Sequence, residues 1–357
     1  MQYTEEALAA LLDAFKERQP LYREYGARIE LLLREHLSRS AVRDYTISSR
    51  EKSLDGFTKK IQRKNYAQPL SDITDLTGVR VTVCYLDQIT RVEDILFAEF
   101  EIDQQNSIDR SKIYAADTFG YLSDHKIVSN SKPKTTDSDW SKFNGIKAEV
   151  QLRTTLQHAW ALVNHALYKN ESELPKNLWR RLNRLAGVFE LADQEFMEIR
   201  QQNEKYKTDI VKQFDEDRTD HIEINYFTLT QYLTRSQVAI SAAKAARDHR
   251  ILFDDSLQIE YYNRMDSASV ADICKLLGIN TIADLAQLLE KYKRSDAEFL
   301  SAISKRRTWQ FTKPFILFLL LLKARHADFP KTYLQGRYGW DQKATDLVFG
   351  EATRLGP

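Results

Sequence analysis

Residues 146–154 alternate without a break: Lys147, Glu149, Gln151 and Arg153 are set against Ala148, Val150 and Leu152. In an extended strand successive side chains point to opposite faces. This stretch therefore offers one apolar face, which must be covered by another layer, and one face carrying both charge signs. A mixed-charge face on a strand inside a domain marks a surface that does more than fill a core. Residues 78–85 also read as a strand, with Val79, Val81 and Val83 against Arg80 and Thr82, and residues 121–128 as another.

Helical spacing surrounds these strands. Leu8, Leu11, Leu12, Phe15, Ile29, Leu32 and Leu33 predict helix over 5–37, which Pro20 divides in two. Ser53 reads as the N-cap of a helix over 53–64 with Leu54, Phe57 and Ile61 as its apolar stripe. Residues 88–100 and 155–214 also read as helical. The chain then turns acidic at Asp215, Glu216, Asp217 and Asp220, which sets a domain boundary between 1–215 and 222–357. The second part reads as mainly helical, over 269–277, 282–292 and 315–325, with Gly278 and Pro330 as punctuation. The expected class is an α+β domain followed by a mainly α-helical one.

Composition narrows the function classes. A chain of 357 residues suits two domains, and a formal net charge of +1 disfavours coating nucleic acid by bulk charge. The two cysteines, Cys84 and Cys274, form no CxxC, so zinc and redox motifs are unsupported, and Cys84, in an apolar run, reads as a buried thiol. The apolar run 314–322 is shorter than the roughly 20 residues a bilayer requires. The first 17 residues lack a signal pattern. A soluble, reducing, cytoplasmic setting is expected.

Three constellations carry chemistry. Arg50, Lys52 and Ser53, with Lys59, Lys60, Arg63 and Lys64, supply the cations a polyphosphate needs, or else form a solvated basic face. Asp75, Gly78 and Arg80 place an acid beside a strand, where it can hold Mg²⁺ or simply cap a turn. Glu149 and Gln151 share a strand face. Glu149 suits a second metal ligand, a base on a ribose hydroxyl, or a cross-strand salt bridge.

In order along the chain stand Arg50-x-Lys52-Ser53 with Lys60, Asp75-Leu76-x-Gly78-x-Arg80, Gly120-Tyr121-x-Ser123-x-His125, Glu149-x-Gln151-x-Arg153-Thr154, and Trp160-Ala161 with His165 and Tyr168-Lys169. This series, over about residues 20–200, resembles the RelA/SpoT synthetase domain. The resemblance implies a nucleotidyltransferase-like mixed β-sheet flanked by helices, ATP as donor, Mg²⁺, and GDP or GTP as acceptor, giving ppGpp or pppGpp. It implies that Arg50 and Arg80 clamp the ATP adenine and phosphates, and that Lys52, Ser53 and Lys60 hold the phosphates. Asp75 would bind Mg²⁺, and Glu149 would bind it or accept the acceptor's proton. Tyr121 would stack on the acceptor base, with His125, Gln151 and Arg153 on the substrate side.

The match departs from the family pattern at the acceptor strand. Gly-Tyr-Arg-Ser-Leu-His becomes Gly120-Tyr121-Leu122-Ser123-Asp124-His125, the lead-in reads Tyr114-Ala115-Ala116-Asp117-Thr118-Phe119, and Gly56 stands where serine is common. Acceptor identity is therefore open. Toxin-type relatives pyrophosphorylate the tRNA 3′ end, and some carry a C-terminal module that restrains them, as in toxin–antitoxin or phage-defence systems. Residues 222–357 suit such a module, and Lys132, Lys134, Lys142 and Lys147 are candidate tRNA contacts. A third reading is an inactive synthetase kept as a scaffold, which retention of both Asp75 and Glu149 argues against. None of the seven histidines precedes an aspartate, so the His-Asp metal site of the family's hydrolase domain is not expected. The apolar segment 311–322 reads as a buried helix or as an interface for an oligomer or protein partner.

Overall fold

The computed structural model describes residues 3–107, 123–168, 175–237, 266–307 and 311–355, with Ile240, Lys244 and Trp309. The chain divides into two compact units, Met1–Gln201 and Gln202–Pro357.

The first unit is built on a five-stranded mixed sheet of β1 (Thr46–Glu51), β2 (Thr77–Val83), β3 (Phe100–Ile102), β4 (Asp124–Asn130) and β5 (Ala148–Thr154), in the order β1-β2-β5-β4-β3. Only the β2–β5 pair is parallel. Val79, Val81 and Val83 of β2 join Ala148, Val150 and Leu152 of β5 in one buried cluster. Tyr25, Ile29, Leu33 and Leu37 of α1 (Glu5–Ser38) and Val92 and Leu96 of α4 (Leu86–Glu99) complete it. The apolar strand face therefore finds its covering layer, and the charged face is left for other work.

Pro20 does not divide the first helix: α1 runs unbroken through it. Phe15 on one side and Tyr22 and Tyr25 on the other are all buried, and this packing outweighs the backbone hydrogen bond that proline removes. At Gly26 an added Cβ would lie 3.1 Å from the Ser49 Cβ and 3.3 Å from the Thr77 Cγ2, so glycine lets α1 close onto β1 and β2. Helix α2 (Leu54–Arg63) starts at its Ser53 cap and docks through Phe57, whose ring stacks on Phe15 with centroids 4.2 Å apart. A short helix, α3 (Pro69–Asp72), leads to β2, and another, α5 (Lys132–Thr136), follows β4. Among the described residues the helical stretch after β5 comprises α6 (Thr155–Tyr168) and α7 (Lys176–Asp215). Residues 121–122 lie outside the described part, and β4 begins at Asp124. Cys84 is only partly buried, because β2 ends one residue before it and its Sγ turns to the Asp44 carbonyl at 3.4 Å.

The division between the units falls within α7, ahead of the acidic stretch that the sequence suggests. The second unit contains α8 (Tyr226–Arg235), α9 (Ser267–Leu276), α10 (Ile282–Tyr292), α11 (Asp296–Ser304), α12 (Lys313–Arg325), α13 (Lys331–Tyr338) and α14 (Gln342–Leu355). Residues 314–324 of α12 are buried all round, so the apolar segment is the central helix of its own core. Thr281 and Asp284 form a reciprocal capping box that starts α10, and Gly278, at φ +70°, takes the left-handed turn after α9.

Candidate active site

The sheet face turned away from α1 and α4 aligns the predicted residues by register. Arg50, Gly78 and Glu149 form one cross-strand row, and Ser48, Arg80, Gln151 and His125 the next. Together with Lys52, Ser53, Gly56 and Asp75, most of these line a cavity of about 410 Å³. Gly78 sits in mid-row, and a side chain there would project between Arg50 and Glu149.

Tertiary packing brings Asp75 to the lysines. Ile73 and Leu76 share a buried cluster with Phe57 and Ile61, pinning the segment before β2 onto α2. The Lys52 N–H donates to the Leu76 carbonyl at 2.9 Å, fixing the end of β1 beside the same segment. The result is a clamp. Lys52 Nζ lies 2.7 Å from Asp75 Oδ2, and Lys60 Nζ lies 2.8 Å from Oδ1. Burial pushes the Asp75 pKa up, but the two lysine hydrogen bonds outweigh it and hold the carboxyl below its usual range.

Glu149 is held differently. His125 Nδ1 lies 2.8 Å from Oε1, and Gln151 Nε2 donates to Oε2 at 3.1 Å. Ser123 Oγ lies 3.0 Å from the other ring nitrogen of His125, extending the chain. Burial again raises the pKa, and the His125 hydrogen bond and charge, then the Gln151 bond, bring it below the ordinary value. The Asp75 charge acts on Glu149 in the opposite direction, so the two acids sense one another.

Arg50 and Arg80 have no ion-pair partner among the described residues. Arg80 Nε is buried without a hydrogen-bond partner there, and burial and then the Arg50 charge lower the guanidinium's pKa. Cations kept close with their donors unspent are an anion site in waiting.

Of the residues singled out in the sequence, Arg50, Lys52, Ser53, Asp75, Arg80, Glu149 and Gln151 line the cavity, and Lys60 and His125 bond to its two acids. The Ser53 Oγ also accepts from the Gly56 N–H at 3.1 Å as the α2 cap. Arg153 shares the face but pairs with Thr82, four residues beyond Glu149 or roughly 13 Å along the strand, and is not part of the cavity wall. Tyr121, Gly120 and Lys169 lie outside the described residues. Ser48 and Ser49 line the cavity, and His158 lies near Arg80, yet all three escaped the sequence reading. Ser48 sits on an edge strand with a single buried apolar residue, Ile47, and gave no periodic signal. His158, on α6, has its Nδ1 buried without a hydrogen-bond partner among the described residues, and burial, then Arg80 and Arg153, lower its pKa.

No three His, Cys, Asp or Glu among the described residues form a metal cage. Two carboxylates at one cavity fit a hard divalent cation that completes its shell with phosphate and water oxygens.

A mixed sheet with cations and two acids gathered on its open face suits a polyphosphate bound together with a divalent cation. Residues 49–173 match the family model described as the region found in RelA/SpoT proteins. GTP pyrophosphokinase YjbM of Bacillus subtilis is 30% identical over 161 residues, covering 43% of this chain and 71% of the relative. YwaC, another GTP pyrophosphokinase of that organism, is 26% identical over 159 residues, covering 43% and 72%. The chain belongs to the RelA/SpoT family. Among solved structures, a GTP pyrophosphokinase family protein from Streptococcus pneumoniae superposes with a TM-score of 0.45 at 26% identity, over 54% of this chain and 96% of that one. Small alarmone synthetase 1 of Bacillus subtilis gives 0.45 at 23% identity, over 54% and 99%.

Proposed function

We propose that this site transfers the β,γ-pyrophosphate of ATP to the 3′ hydroxyl of GDP or GTP, forming ppGpp or pppGpp and releasing AMP. The observation that carries the reading is the cavity in which Arg50, Lys52 and Arg80 meet Asp75 and Glu149, with Lys60 bonded to Asp75 from its edge. The acceptor 3′ oxygen attacks the β-phosphorus. The bond from that phosphorus to the oxygen bridging to the α-phosphorus breaks, and AMP leaves with that oxygen. Lys52 and Lys60 hold the polyphosphate, with Ser53 beside them. Arg50 and Arg80 clamp adenine and phosphates, using the donors that Arg80 leaves unspent. Asp75 and Glu149 would hold Mg²⁺, which when bound neutralises charge spread over the phosphate oxygens. Glu149 either shares that task or takes the 3′ proton, and the His125 and Gln151 hydrogen bonds fix its orientation in both roles. Gln151 and His125 border the acceptor side, and Tyr121 is assigned to stack on its base.

The tRNA-directed alternative draws less support. Of the four lysines singled out for it, Lys134 pairs with Glu99, Lys142 with Glu24 and Lys147 with Asp103, so three already have acidic partners. Residues 222–357 are assigned a regulatory or partner-binding role. No described helix is long and apolar enough to cross a membrane, and a cytoplasmic setting suits nucleotide substrates.

The test supplies γ-labelled ATP with GDP, GTP, ATP or bulk tRNA in separate reactions. Label in a guanosine nucleotide, lost in Asp75→Asn and Glu149→Gln, is the expected result. Label in tRNA alone transfers the reading to the toxin type, and unchanged turnover in both variants defeats the site.

A further inference from the structure

Both oxygens of Asp75 are held by cations, and the two come from different elements: Lys52 from the end of β1 and Lys60 from α2. The fold, not local sequence, builds this clamp. Asp75 keeps 23% of its side chain exposed, and the lysines 17% and 22%, so the clamp faces the cavity and is not sealed. Glu149, by contrast, is held by an amide and an imidazole. Arg50 and Arg80 add positive charge beside the clamp without an ion-pair partner among the described residues.

We infer that Lys52 and Lys60 close Asp75 to a divalent cation until a polyphosphate draws their ammonium groups away, so that cation and donor polyphosphate bind as a coupled pair. The inference rests on the donor site proposed above. A dication entering the empty cleft would have to displace an ammonium and then share the space with it, alongside two unpaired guanidinium groups. A polyphosphate meets the opposite situation, because every nearby cation attracts it. Lysine has a flexible stem and a compact charge, so Lys52 and Lys60 can swing from one carboxylate to several phosphate oxygens without moving the backbone. Asp75 is then bare beside those oxygens, an all-oxygen set suited to a hard cation. When the polyphosphate leaves, the lysines return and the cation loses its ligand. Linkage makes the effect reciprocal: whatever factor the nucleotide adds to cation affinity, the cation adds to nucleotide affinity.

The test measures Mn²⁺ binding to the full chain by electron paramagnetic resonance, first without nucleotide. Lys60→Met and Lys52→Met should each bind Mn²⁺ at least roughly fivefold more tightly than the parent. Lys59→Met removes the same charge from an exposed pair with Asp55 and should leave Mn²⁺ binding unchanged. In a second titration, a fluorescent ATP analogue with a methylene bridge between the α- and β-phosphates is bound at zero and saturating Mn²⁺. The gain on adding metal should be roughly tenfold or more in the parent and should shrink in both lysine variants. If Lys60→Met and Lys52→Met, folded by circular dichroism, bind Mn²⁺ no better than Lys59→Met, the inference is overturned. An analogue that binds no form of the protein defeats the donor reading instead, and the nucleotide-free titration still decides the lysine clamp.

Discussion

Asp75 and Asp296 each meet a lysine ammonium at 2.7 Å, yet the two pairs differ in kind. Asp75 faces the cavity, has two lysines, and its pKa is held below normal. Asp296 opens α11 and reaches Lys323, whose side chain on α12 is only 2% exposed and which also donates to the Tyr292 carbonyl at 2.6 Å. There burial dominates the single lysine and raises the carboxyl's pKa. The same two residue types thus make a clamp at the wall of a cavity in one place and a strut anchored by a buried lysine in the other. Two partly exposed lysines on a cavity-lining Asp75, against one buried Lys323 on Asp296, separate the roles.

The largest expected effect tests the open side. Asp75→Asn or Glu149→Gln should cut pyrophosphate transfer by about 10²–10³-fold or more, a loss far beyond what their modest drop in urea midpoint at neutral pH accounts for. The sealed side should respond the other way. Lys323→Met leaves Asp296 without its partner and should cost about 3–5 kcal/mol in urea unfolding, while Lys323→Met with Asp296→Leu should recover much of it. Lys60→Met should cost no more than about 1 kcal/mol, because Lys52 still holds Asp75. Equal losses at Lys60 and Lys323 would erase the distinction between the two pairs.

Acid should separate the aspartates next. A depressed carboxyl contributes stability that is present above its unfolded value, near 4, and lost as pH falls through its lower folded value. Asp75 therefore steepens the acid limb of a stability–pH curve, and Asp75→Asn should flatten it. Asp296 is raised, so its contribution is present below the unfolded value and lost as pH rises through the folded one. Asp296→Asn should thus leave a steeper acid limb than the parent's. Urea midpoints from about pH 5 to 2.5 read both slopes.

How much of this was legible beforehand follows from where the signals come from. Strands β2 and β5 announced themselves because each alternates over a full length, and their register alone puts Arg80 beside Gln151 and Gly78 beside Glu149. Lys60 and Asp75 could be named from their motifs, but their direct bond could not. It depends on Phe57, Ile61, Ile73 and Leu76 meeting in one core, a contact between separate segments. Strand β1 was silent because an edge strand needs only Ile47 inside, and its other residues follow no pattern. The Pro20 break failed for a related reason: local rules treat proline as a stop, whereas buried aromatics on both flanks hold α1 straight through it. Cys84 reads as buried in sequence because the apolar run continues past Val83, where the strand ends.

The two cysteines offer the mildest test of the same contrast between open and sealed positions. Cys84 is partly exposed at the end of β2, whereas Cys274 is buried on α9, where burial pushes its thiol up to about 12. The thiolate is the reactive form, so burial and the raised pKa both hold Cys274 back. A thiol reagent at about pH 8 should modify Cys84 readily, with Cys84→Ser abolishing the fast phase and leaving transfer activity unchanged. Cys274 should react only when urea opens the second unit, and then at a rate that follows the unfolded fraction. Because its folded pKa is raised, its contribution to stability is present below the unfolded value and fades as pH climbs toward the folded one. Cys274→Ala should therefore lose less stability than the parent between about pH 9 and 11. Fast labelling of Cys274 in the folded chain would show that the helical core opens locally. The fixed character assigned to the Lys323–Asp296 strut in that same core would then need revision.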